Sequence, residues 1–152
     1  MILIPHLIVS GAIAAKINFL PLALILAFFS HYLLDFLPHV EYFIDNIETK
    51  RWGHSKSDFL KIGIDFSIGL LFLLLIHIIK GTDYYVLALA GFCGILPDLM
   101  NFAYFIYPDN KFLKWHSSLH QKIHILKNKK ISNKWRIFSQ IAVVILALIF
   151  LI

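Results

Sequence analysis

FLKIGIDFSIGLLFLLLIHII, residues 59–79, decides the fold class. A helix needs roughly 20 predominantly apolar residues to cross about 30 Å of hydrocarbon, and this block supplies them almost without interruption. Four further apolar segments flank it, at residues 2–15, 20–37, 84–107 and 137–152. With 59% hydrophobic residues in 152, a soluble core of this size could not bury them all. The chain is therefore expected to be all-α: a polytopic membrane bundle of four to five transmembrane helices, forming a single domain over 1–152. Pro5 and Pro21 stand near the starts of the first two segments, where a missing N–H costs little. The first segment is short for a full span, which suggests tilt, re-entry or a locally thinned bilayer. Ala12-Ile13-Ala14 resembles a signal-peptidase site, but no basic residue precedes it and Pro5 and His6 interrupt the apolar run, so a retained span is the better reading. The single cysteine, Cys93, excludes an intrachain disulfide.

Charge placement predicts the topology. Lys50, Arg51, Lys56 and Lys61 lie in or beside the connection between the second and third segments. Lys111, Lys114, Lys122, Lys127, Lys129, Lys130, Lys134 and Arg136 crowd the connection between the fourth and fifth, and the opposite side has only Lys16 and Lys80. The positive-inside rule then puts the N-terminus and both large loops in the cytoplasm, with the protein in the inner (cytoplasmic) membrane. The stretch 111–127 mixes apolar and basic residues, so an amphipathic cytoplasmic surface helix is expected there. Membrane lipids are the expected partners, with anionic headgroups at the basic loop 109–134; no nucleic acid is expected.

Ionisable groups inside hydrocarbon are expensive, so each invites a functional hypothesis. His31, Asp35 and His39 are spaced i, i+4, i+8, which places them on one face of the second helix. Imidazole and carboxylate together suit zinc, manganese or iron. The alternative is a helix end whose histidines meet headgroups while Asp35 bonds a neighbouring helix. Pro38 would also free the carbonyl of Leu34. Leu96-Pro97-Asp98 echoes Leu37-Pro38-His39 at an offset of 59 residues, and the same offset relates His6 to Asp65. Two related helix hairpins would explain both matches. Ala90 and Gly94 leave room on the face of Asp98 for a neighbouring helix. Asp65, in the most apolar setting of any acid here, needs a partner, and His6 is the natural candidate. His116, His120 and His124 repeat the i, i+4, i+8 spacing, either as metal ligands or as a face touching lipid phosphates. His54 is a loop candidate on the same side, and His77 falls at the far face. The convergence of the other groups on the cytoplasmic half carries more weight than any one motif.

At these residues the chain resembles the bacterial membrane-bound, metal-dependent hydrolases typified by the LexA-regulated YdjM protein. The likeness rests on His6, on the span end Leu96-Pro97-Asp98 (altered to Leu37-Pro38-His39 in the second span), and on the pairs His54-Ser55 and His116-Ser117. Together with the residue chemistry, it implies a divalent metal held among His6, His31, Asp35, His39, Asp98 and His116. Asp65 and His120 would serve catalysis, with Asp65 orienting a ligand or acting as base. The expected activity is hydrolysis at the cytoplasmic leaflet, with a phosphoester-bearing lipid as first guess. A proton or metal-ion transporter, or a non-catalytic scaffold, would use the same residue types differently.

Overall fold

A computed structural model of the protein describes residues 2–124 and 131–151, and among them all regular structure is helical. The order is α1 (Leu3–Lys16), α2 (Leu20–Phe36), the short α3 (Asp45–Glu48), a 3-10 turn (Trp52–His54), α4 (Lys56–Lys80), α5 (Tyr84–Ile106), α6 (Lys111–Ile123) and α7 (Asn133–Leu151). Lys127, Lys129 and Lys130, expected to meet headgroups, lie outside the described residues.

Three helices, α4, α5 and α7, are long and apolar enough to cross a membrane. At about 1.5 Å per residue, the 14 and 17 residues of α1 and α2 reach only about 21 and 26 Å, short of the roughly 30 Å of a hydrocarbon core. Leu71, Ile78 and Ile79 of α4 and Ile141, Leu146 and Ile149 of α7 point outward and are exposed. A continuous apolar surface of that kind is stable against lipid rather than water.

A short helix, α1, is the central one. α1 packs against α2, α4, α5 and α7 and buries His6, Leu7, Ile8, Ser10, Gly11, Ala12 and Ala14. Small residues on its neighbours permit this closeness. Leu7 sits where a side chain on Gly69 would stand, and Ser10 where one on Gly94 would stand.

Helix ends follow local chemistry. Asp83 accepts the N–H of Tyr85 at the start of α5, and Asn110 accepts those of Phe112 and Leu113 at the start of α6. α4 stops at Gly81, whose φ of +66° admits the left-handed turn and whose N–H returns to the carbonyl of His77. His77 bonds the carbonyl of Thr82 in that same turn, through Nδ1. The start of α1 is capped from another helix: the carboxylate of Asp65 accepts the N–H groups of Leu3 at 2.6 Å and Ile4 at 3.2 Å. Asp65 therefore supplies the positive end of α1 with a negative partner, in place of the expected pairing with His6.

This placement gives a prediction. Asp65→Asn keeps one carbonyl acceptor but turns an NH2 group towards backbone donors. It should cost about 1 kcal/mol of stability, the usual worth of an N-terminal cap, which thermal unfolding would check.

Two prolines that look alike in the sequence act differently. The residue before a proline avoids the α region, and α2 ends at Phe36, leaving Leu37 extended (ψ 151°). His39 is thus off the helix and not on a common α2 face with His31 and Asp35. Nor is the Leu34 carbonyl free, since it accepts the N–H of Leu37. The carbonyls of the extended segment are met by α7: Ser139 bonds Pro38, Arg136 bonds His39 and Gln140 bonds Val40. These bonds give the exposed backbone the partners that hydrocarbon cannot provide. Pro97, in contrast, is buried within the continuous α5. The two prolines, and with them the pairs expected from an internal duplication, are not geometrically equivalent.

Candidate metal centre

Asp35 projects from the last turn of α2, fully buried, into the space between α1, α5 and α6. Four histidines reach it through Nε2. His31 lies 3.0 Å, His120 3.1 Å and His124 3.2 Å from Oδ2, and His6 lies 3.3 Å from Oδ1. His31 and Asp35 share one face of α2 by their i, i+4 spacing. His120 and His124 do the same at the end of α6, which the bond from Ser117 to Asn101 ties to α5.

The core of the arrangement is a group of His31, Asp35, Asp98 and His120 whose ligand-type atoms all lie within 4.8 Å of one another. The Nε2 atoms of His31 and His120 are 3.0 Å apart, and each is 3.6 Å from Oδ1 of Asp98. Neighbouring ligands around a tetrahedral ion bound at about 2.0–2.1 Å stand roughly 3.3 Å apart, close to all of these separations.

Protons do not satisfy this geometry. Nδ1 of His31 lies 2.8 Å from the carbonyl of Gly94 and must donate to it. In neutral His31, Nε2 is then a bare lone pair, facing both a carboxylate oxygen and another imidazole nitrogen. Nε2 of His31, Nε2 of His120 and Oδ2 of Asp35 form a triangle with edges of 3.0–3.1 Å. Two imidazole protons cannot serve three edges, so at least one edge sets lone pair against lone pair or N–H against N–H. A cation at the centre resolves all three at once. The bond to the Gly94 carbonyl fixes the tautomer in which Nε2 of neutral His31 is able to ligate a metal.

A second group adjoins the first. Asp35, His39 and His124 bring ligand atoms within 4.8 Å of one another. His39 donates through Nδ1 to the carbonyl of Leu37 at 2.7 Å, and its Nε2 faces Oε1 of Glu41 at 2.9 Å. His6 is buried and stacked on His31 with ring centroids 4.2 Å apart, and neither of its ring nitrogens has a hydrogen-bond partner of good geometry.

Of the residues singled out in the sequence, His6, His31, Asp35, His39, Asp98, His120 and His124 are brought together here. His120, expected above to serve catalysis, stands among the ligand-type atoms. His116 is not in either group. Its Nε2 lies 2.9 Å from the Tyr32 hydroxyl, and its ring stacks on His120 with centroids 5.9 Å apart. Burial, and then the nearby His120 and His31, hold its pKa below the usual imidazole value, so it is neutral at physiological pH. Asp65 is engaged at the start of α1, beside Tyr42, whose hydroxyl burial and the Asp65 charge keep protonated. His54 is exposed in the 3-10 turn.

Glu41 and the Gly94 carbonyl were missed. The signal for Glu41 was available: once Pro38 ends the helix, residues two apart share a side of extended chain, which pairs His39 with Glu41. No side-chain pattern marks a carbonyl. Comparison with known proteins finds no matching family model, no matching curated protein and no matching solved structure. The functional reading accordingly rests on the geometry.

Proposed function

We propose that the protein is a membrane-embedded, metal-dependent hydrolase acting at the cytoplasmic leaflet on a phosphoester-bearing lipid. The observation that carries this is the triangle of His31, His120 and Asp35, completed by Asp98, which asks for a cation rather than protons. The resemblance to YdjM-like hydrolases points the same way. Asp98 is 27% exposed, which leaves a water route into an otherwise buried group and an open side for a substrate oxygen.

A bound divalent ion would supply Lewis acidity and make water acidic enough to act as a nucleophile near neutral pH. His31, Asp35, Asp98 and His120 would hold it. In hydrolysis the water oxygen bonds to phosphorus, the bond from phosphorus to the alcohol oxygen breaks, and the proton lost by water ends on that alcohol. The His116–Tyr32 pair, neutral and hydrogen-bonded beside His120, is placed to pass the proton.

Lipid is favoured as the substrate by what adjoins this pair. An apolar groove of about 400 Å³ between α2, α5 and α6 is lined by Phe28, Phe29, Met100, Phe112 and Trp115, and Tyr32 and His116 also line it. An acyl chain in the groove would set its headgroup at the cluster. Exposed Lys111, Lys114 and Lys122 on α6 suit an anionic phosphate.

Zinc- or manganese-loaded protein in vesicles should release alcohol or phosphate from glycerophospholipids. Asp98→Asn should lower turnover about 100-fold or more, since it removes several kcal/mol of charge stabilisation around the ion. A metal-loaded protein inert towards glycerophospholipids of every headgroup class would overturn the reading.

A further inference from the structure

The geometry points to a centre that holds two divalent cations bridged by Asp35, the second held by His39, His124 and Glu41. This deepens the reading above, which requires only the first.

Asp35 belongs to both groups of converging ligand atoms. Its Oδ2 lies 3.2 Å from His124, little farther than from His31 and His120, at 3.0 and 3.1 Å. One carboxylate cannot accept from three imidazoles packed this closely and also satisfy each of them. Used as a bridge, it serves ions on both sides, as carboxylates do in two-metal sites with ions about 3.5–4 Å apart.

At the second position, Nδ1 of His39 donates to the Leu37 carbonyl and its Nε2 lies 2.9 Å from Oε1 of Glu41, so a positive charge, carried by a proton or by a divalent ion, stands between nitrogen and carboxylate. His124 faces Asp35 through Nε2, the nitrogen that an ion bridged by Asp35 would take, and its Nδ1 lies 3.4 Å from the same Glu41 oxygen in a side chain that is nine-tenths buried. The ring planes of His39 and His124 are inclined at 70° with centroids 5.1 Å apart, so both imidazoles can address one point from different directions. Glu41 is 31% exposed, which makes the second position the more open of the two.

Metal stoichiometry of the full chain, equilibrated with zinc alone and freed of loose ions by gel filtration, tests this. Two zinc ions per chain are expected in the wild type. A His39→Ala, His124→Ala variant should hold one, and His120→Ala should lose the other. Manganese-loaded wild type should give the exchange-coupled spectrum of a close pair, reduced to isolated ions in the double variant. Glu41→Gln, a surface-accessible and conservative change, should weaken one of two sites without altering helix content. One zinc in the wild type, or two retained in the folded double variant, overturns the inference. Two ions without lipid hydrolysis would overturn the proposed activity alone, and hydrolysis by a one-zinc protein would overturn the bridge alone.

Discussion

Asp35→Asn should empty the centre while leaving the fold standing. The amide is nearly isosteric with the carboxylate, so packing against His6, His31, His120 and His124 is kept. What disappears is the one negative charge that all four Nε2 atoms approach within 3.0–3.3 Å. The amide NH2 also places a donor where an ion would sit. Metal content should fall from stoichiometric to background, and turnover by about 1,000-fold or more, the equivalent of roughly 4 kcal/mol of lost stabilisation. Metal analysis, circular dichroism and lipid turnover on one preparation would settle it. Stoichiometric metal in folded Asp35→Asn protein would place the ion elsewhere. The contrast with Asp65→Asn is diagnostic: both acids are buried, but only Asp35 faces the histidines, so only Asp35 should govern metal.

Removal of metal should have the second large effect, and it should depend on pH. An ion that binds only the folded chain adds RT ln(1 + [L]/Kd), about 4 kcal/mol when free metal exceeds Kd by 1,000-fold. Chelation should remove that contribution and lower the unfolding temperature. The sign with pH follows from the ligands. Metal requires unprotonated imidazole, whose ordinary pKa is about 6.5. Its stabilisation should therefore be complete above neutral pH and fade as pH falls through the imidazole range. With two histidines at the first position, affinity there should drop up to about 100-fold per pH unit below that range. Unfolding curves with and without chelator should diverge at pH 8 and converge near pH 5. Curves that stay parallel across this interval would mean that no ion contributes to stability.

Helix positions and the gathering of polar groups were legible in the sequence because both are local or nearly so. Apolar blocks of span length and prolines near helix starts each act within a few residues. The i, i+4 pairs His31–Asp35 and His120–His124 share a helix face whatever surrounds them. Once alternating helices put the start of the first segment and the end of the second at one face, His6, Asp35, Asp98 and the α6 histidines had to lie near a common level.

Which of these neighbours meet was not legible. His6 had two acids within plausible reach, and only the packing of α1 between α2 and α4 turned it towards Asp35 while Asp65 took the start of α1. Pro38 and Pro97 carry the same local preference, yet one ends a helix and the other is buried within one. The difference lies in partners far along the chain: Arg136, Ser139 and Gln140 of α7 receive the carbonyls that the extended segment exposes. That segment brings His39 and Glu41 to Asp35, which no α-helical continuation of α2 would do. Local sequence thus determined the elements and the residue types available for chemistry. The tertiary structure alone decided the ligand sets, because pairing among buried polar groups is chosen by which backbones approach closely enough to satisfy them.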